Sequence, residues 1–285
     1  MRSRMRAPMT ALTIAAVLSL FAFTLIVHAS EEGYRLLELD GYKVKWGDRQ
    51  LGVGARISYA FAGETLHFEG ANNCRDMVPI EGLLGETISR KTLAHETAAA
   101  FRVWERAAGL SFYQVADARD ADIVLGVQSE PTGRAYANVT YTPDLEEGVR
   151  TIEQALVCLN PNQEWKVGFD GDQDAYDIRY TLIHEIGHAI GLDHPGPSGQ
   201  VMGFRYTEAF DDLQPGDLRG IQLLYGRAVA AGEPAFDGDT QLAQKSIEVY
   251  PATILDSHSG TGTTVEDEVD SSGIYLLSAT PVSLP

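Results

Sequence analysis

Three histidines and one glutamate stand together at His184-Glu185-Ile186-Gly187-His188, followed by Gly191 and His194, an H-E-x-x-H-x-x-G-x-x-H arrangement. Residues four apart on a helix lie on one face a turn apart, so His184 and His188 can share one Zn²⁺ through imidazole nitrogens at about 2.0 to 2.1 Å. Glu185 is displaced by about 100° around the helix, beside the metal but outside its ligand set, where a carboxylate can take a proton from a water on the ion. Gly191 tolerates positive φ, which ends the helix and turns the chain back to bring His194 in as the third ligand. Three protein ligands leave one position for water, the arrangement of a catalytic zinc site rather than a closed structural one. The alternative is that His184 and His188 are packed partners on an amphipathic helix without metal. The eleven-residue pattern disfavours that reading in a way its five-residue core alone would not. His28, His67, His95 and His258 are scattered without ligand spacing, so a second zinc site is not expected.

These residues need a helix to carry them and a sheet to back it. Ile178, Leu182, Ile186 and Ala189/Ile190 share one face of a helix expected from about Tyr176 to Ile190, with Gly191 as its stop. Leu93, Thr97, Phe101, Trp104 and Ala108 recur at helical steps between Thr92 and Gly109. A third helix follows Pro215 and covers Asp217 to Tyr225. Strands are expected at Arg56–Phe61, Leu110–Val115, Asp122–Val127, Ile152–Leu159 and Gly133–Tyr141, the last as an exposed edge strand. The stretch from Gly63 to Ile88 has no clear period and reads as a long loop carrying Cys74.

Residues 1 to 29 open with Arg2, Arg4 and Arg6, run apolar from Met9 to Val27 and close on a small-x-small step, the pattern of a secretory signal peptide; the alternative is an uncleaved membrane anchor. The protein is therefore expected to be secreted, with a membrane as partner only if that segment is retained. The formal charge of -18 becomes -21 once those three arginines are removed, and so acidic a surface repels nucleic acid. Cys74 and Cys158, in an oxidising compartment, are expected to be bridged rather than two buried thiols. From residue 227 to 285 the chain turns acidic and rich in Gly, Ser and Thr, as a tail or linker does. The segment 30–226 is left as one catalytic domain, expected to be monomeric.

The zinc pattern, with Val201-Met202-Gly203 after it, resembles the metzincin metallopeptidases, and the branch it is most similar to is the matrixins. Tyr206 stands where matrixins have the tyrosine of their specificity-pocket wall, and Leu213 with Asp217 to Gly226 resembles their closing helix. Ala121–Val124 and Gly133–Ala137 resemble the strand before the edge strand and the edge strand itself, so the likeness runs from about Tyr42 to Gly226. Pro195 and the absence of a matrixin-type cysteine switch depart from the family, and a serralysin-like protease is the second choice. The resemblance implies an α+β, zincin-type fold with a mixed twisted sheet of about five strands, an antiparallel edge strand and about three helices. It implies a secreted zinc endopeptidase acting on extended protein or peptide substrates, with Met202 as a hydrophobic floor below the zinc. Substrate would pair with the edge strand at Ala135, Tyr136 and Ala137 and meet a pocket walled by Gly203, Phe204 and Tyr206. An exported, non-catalytic zinc protein of adhesion or matrix type is the reading from another class.

Two acidic features have competing readings. Asp170, Asp172, Asp174 and Asp177 alternate as Ca²⁺ ligands can, although Ala175 excludes an EF-hand and an acidic run before a helix already favours the macrodipole. Asp40, before Gly41, reads either as a turn residue or as a cover for the zinc from the N-terminal segment.

Overall fold

The computed structural model describes residues 33–83, 88–143 and 148–228. The leader at 1–29 and the tail from residue 229 onward lie outside them. Five strands form the centre of a nine-stranded sheet: β1 (Ala55–Phe61), β2 (Leu110–Gln114), β3 (Ile123–Gln128), β4 (Ala135–Tyr141) and β5 (Arg150–Leu159), with Tyr42–Lys45 parallel to the start of β5 and Glu38–Leu39 beyond it. Their order is β2-β1-β3-β5-β4, parallel except where β4 runs antiparallel to β5. This is the mixed, α+β architecture that the sequence implies.

Alternation along the strands builds two apolar layers. Ile57, Tyr59, Ile123, Leu125, Ala155, Val157 and Leu159 face the helices, while Ala60, Val124, Leu156 and Cys158 face the opposite side. Helix α1 (Arg90–Ala107) lays Leu93, Thr97, Phe101 and Trp104 on the first layer, where Phe101 stacks on Tyr59 with ring centroids 4.2 Å apart. Ser89 caps its start by accepting the Thr92 amide at 3.1 Å. Trp104 Nε1 then donates to the Ile183 carbonyl at 3.0 Å, tying α1 to α2 (Ile178–Ala189). Helix α3 (Pro215–Tyr225) follows Pro215 at its first turn and ends at Gly226, φ 70°.

The second layer is covered by a segment that has more structure than the loop expected from Gly63 to Ile88. Leu66–His67 pairs with Asp76–Val78, which adds antiparallel to the end of β3, and a 3₁₀ turn runs from Ile80 to Leu83. Pieces of two or three residues are too short to carry a period, which is why the sequence does not reveal them. Cys74 and Cys158 form a disulfide that fastens this cover to β5. With both faces covered, Ala135 to Val139 are buried, so β4 is an edge in backbone pairing but not in side-chain exposure. No helix among the described residues is long and apolar enough to cross a membrane.

Candidate metal centre

Helix α2 carries His184, Glu185 and His188, all buried. Asp177 caps its N-terminus, accepting the Tyr180 amide at 2.7 Å and the Gly168 amide at 2.6 Å. At the other end Gly191 takes φ 98°, and an added Cβ would also overlap the Val44 carbonyl, so the bend requires glycine on two counts. Beyond it Leu192–Asp193 pairs with Arg35–Leu36, with an Arg35–Asp193 ion pair at 3.0 Å, and the chain enters the centre at His194.

The three imidazoles converge. His194 Nε2 lies 3.0 Å from both His184 Nε2 and His188 Nε2, and one ligand atom from each histidine lies within 4.8 Å of the others. His184 Nδ1 donates to the Val201 carbonyl at 2.6 Å and His188 Nδ1 to the Leu192 carbonyl at 2.8 Å. A carbonyl only accepts, so both rings carry their proton on Nδ1 and present Nε2 lone pairs inward. Three nitrogens at zinc-ligand distance from one tetrahedral centre stand about 3.3 to 3.4 Å apart, within a few tenths of an ångström of the two separations from His194. The donor set therefore fits Zn²⁺. Burial lowers the pKa of all three rings, and their mutual repulsion adds to this for His184 and His194, which keeps them neutral as ligation requires.

Glu185 is 1% exposed and its Oε2 has no hydrogen-bond partner. Burial pushes its carboxyl up to about 7, while the positive Arg134 pulls the other way. Gly187 faces Met202 and Trp104, and an added Cβ would overlap the Met202 sulfur, so the missing side chain lets Met202 pack directly against α2. The turn bearing Met202 is fixed by Asp217 at the start of α3. Its carboxylate accepts the amides of Val201, Met202 and Gln214 at 2.9, 3.1 and 2.8 Å. Asp217 thus holds the very peptide whose carbonyl orients His184, a positioning role that its place in the closing helix did not reveal.

The residues expected to meet substrate divide. Ala135 and Ala137 lie in the helix-side layer, whereas the Tyr136 ring is buried on the other side of the sheet, beneath Gly133 and 3.3 Å from the Thr132 hydroxyl. Only the Tyr136 backbone remains at the edge. Phe204 is 43% exposed with its ring 6.0 Å from that of His194. Tyr206 is anchored by its hydroxyl, which accepts the Asp177 amide at 3.0 Å and donates to Glu208 at 2.9 Å. Its ring meets Tyr176 and Tyr180 edge to face at 5.2 and 5.3 Å. Arg134, which the sequence marks only as part of the edge strand, lies over Tyr176 and Tyr206.

The acidic run has an internal cation. Lys166 Nζ bonds Asp170 Oδ1, the Asp172 carbonyl and Glu208 Oε1, the last at 2.6 Å. Asp170 and Asp172 each accept the amide two residues on at 3.0 Å, and Asp177 is taken by its capping role. Among the described residues the three histidines are the one grouping placed to hold a metal. Asp40 sits in a tight turn at φ 50° and accepts the Tyr141 hydroxyl at 2.8 Å, which is the turn reading rather than a cover for the histidines.

Residues 82–226 match the peptidase M10 family, matrixin. The chain is 26% identical over 167 residues to a probable matrix metalloproteinase, 095L, of Invertebrate iridescent virus 3, covering 55% of this chain and 44% of that protein. It is 28% identical over 184 residues to stromelysin-3 of Mus musculus, covering 61% and 32%, and 31% identical over 148 residues to matrilysin of Felis catus, covering 49% and 54%. It thus spans about half or less of the length of each of these relatives. The match extends over the strands β2 to β5, the three helices and the histidine cluster, and the chain belongs to the matrixin family.

Proposed function

We propose that this protein is a secreted zinc-dependent endopeptidase that cleaves extended protein or peptide substrates. The observation that carries this reading is the convergence of three inward Nε2 atoms, two of them fixed as acceptors by Nδ1–H bonds to carbonyls, beside a buried glutamate with an unbonded oxygen. His184, His188 and His194 would hold the ion through Nε2. When bound, Zn²⁺ supplies Lewis acidity that polarises a peptide carbonyl and makes water a nucleophile near neutral pH.

The chain's own groups supply the rest. Glu185 Oε2 takes the proton from the attacking water and returns it to the leaving amine, a role suited to a carboxyl raised toward neutrality. Strand β4 has β5 on one side and no described strand on the other, so a substrate can add as a further strand along Ala135 to Ala137. Main-chain pairing of that kind binds many sequences and leaves selectivity to the side chains around Phe204 and Tyr206. Met202, held by Asp217 against α2, keeps the floor under the histidines rigid. Calcium has no assigned role in this reading, in which Lys166 pairs with Asp170 at the start of the acidic run and with Glu208.

The test is hydrolysis of a mixed peptide library by the purified protein before and after chelation and again after added zinc. Activity that is lost on chelation and restored by zinc supports the reading; cleavage that survives complete metal removal contradicts it.

A further inference from the structure

Arg134 immediately precedes β4, the strand along which a substrate would pair. Its carbonyl accepts the Asn160 amide at 3.0 Å, and the preceding Gly133 carbonyl accepts Asn160 Nδ2 at 2.6 Å and Gln163 Nε2 at 2.9 Å, so the backbone from which its side chain springs is clamped. The guanidinium lies 5.4 Å from the Tyr176 ring centroid and 5.8 Å from that of Tyr206. Aromatic faces steady a cation but leave the in-plane N–H fork unused. Nε is buried with no acceptor, and among the described residues no carboxylate pairs with this guanidinium. Other cations of this region are matched: Lys166 by Asp170 and Glu208, Arg179 by Glu96, Arg35 by Asp193. Tyr206, over which Arg134 lies, packs edge to face on Tyr180, one helical turn before His184 on α2, which places the guanidinium two ring contacts from the helix that carries the histidines.

We infer that Arg134 is a specificity-determining residue that receives a substrate carboxylate, the side chain of an Asp or Glu close to the scissile bond, on its unpaired N–H fork. This rests on the endopeptidase reading above. A peptide added along β4 has its backbone fixed in register, so one of its side chains is carried to the Tyr206 wall where the guanidinium waits. A carboxylate there forms charge-assisted bonds to a planar fork, whereas the isosteric amide leaves the N–H groups poorly matched, and polar sites discriminate strongly on that basis. The acidic chain as a whole repels acidic peptides, so such a preference needs a local cation to create it.

Peptide pairs that differ only in Glu or Gln, and in Asp or Asn, at each position flanking the bond test this on the full exported protein loaded with zinc. The acid member is expected to have the higher kcat/KM at one position by about 10- to 100-fold. Arg134→Gln brings that ratio within about 2-fold of unity, Arg134→Lys retains part of it, and Arg134→Glu transfers the preference to Lys. Thermal melts and zinc content of each variant establish that it is folded and loaded. Equal cleavage of acid and amide peptides by the unsubstituted protein, or an acid preference that persists in Arg134→Gln, overturns the assignment. Calorimetric titration of the same pairs onto the protein keeps the two readings separate. If nothing is hydrolysed the endopeptidase reading fails, and the affinity ratio still decides for Arg134, with equal affinities counting against it.

Discussion

Replacing Asp217 by Ala removes a buried support that touches neither metal nor substrate. The carboxylate is 1% exposed and accepts three backbone amides, those of Val201, Met202 and Gln214, at 2.8 to 3.1 Å. Leaving a buried donor unsatisfied costs about 1 to 3 kcal/mol, and water entering the space vacated by the carboxylate offsets part of the sum, so the expected loss is about 3 to 5 kcal/mol. That is a large share of the stability of an ordinary domain and corresponds to a melting temperature lower by about 10 °C. A second effect follows from connectivity. Val201 is held through its amide by Asp217 and holds His184 through its carbonyl, so loosening the turn frees the His184 ring, and loss of such outer support typically lowers metal affinity by about 10- to 100-fold. Denaturant unfolding of the metal-free protein gives the first quantity, and zinc titration against a competing chelator gives the second. A stability change below about 1 kcal/mol with unaltered zinc affinity would refute the reasoning, because it would mean that the three amides find equivalent partners without the carboxylate.

Three further perturbations follow from the same structure. Burial tends to raise the Glu96 pKa, but its bonds to Arg179 at 2.6 Å and His95 at 3.0 Å prevail and hold it below the ordinary value. A lowered carboxylate contributes stability above its unfolded pKa, about 4.3, and loses it as pH falls through the folded value, so Glu96→Gln should flatten the acid limb of a stability-against-pH curve below about pH 4. Cys74 and Cys158 are 84 residues apart, and breaking their bridge by Cys74→Ala with Cys158→Ala should cost up to about 4 to 5 kcal/mol by loop-closure entropy, read as a lower denaturant midpoint. Lys166→Met leaves Asp170 and Glu208 without their shared cation, so this variant should melt at a lower temperature and be partly restored by calcium, while calcium leaves the melting of the unsubstituted protein unchanged.

Local chemistry carried most of the architecture. The α1 stripe from Leu93 to Trp104 and the Gly191 stop are written in residues close along the chain, while β3, buried at all six positions, reads as a short apolar run bounded by polar residues. The histidine cluster was legible for the same reason, since its members fall within eleven positions on one helix and its exit bend. What stayed hidden depends on distance along the chain. Asp217 meets the Met202 turn 15 residues away, Arg179 meets Glu96 83 residues away, and Lys166 and Glu208 come together only through the tertiary fold. Arg134 was invisible as a single charge before an apolar strand, because its significance lies in having two tyrosine rings beside it and no ion pair among the described residues. Tyr136 shows the reverse error: the edge-strand pattern fixed its backbone, but strand alternation turns its ring to the face away from the helices.

Metal content and peptide hydrolysis measured side by side, on the unsubstituted protein and on Glu185→Ala, test the central claim most directly. The account predicts one zinc ion per chain in both and a turnover lower by about 10²- to 10⁴-fold in the variant, because the histidines bind while the glutamate moves the proton. Undiminished hydrolysis by Glu185→Ala with its zinc in place would contradict it, as would a protein that cleaves peptides yet retains no zinc at the three histidines.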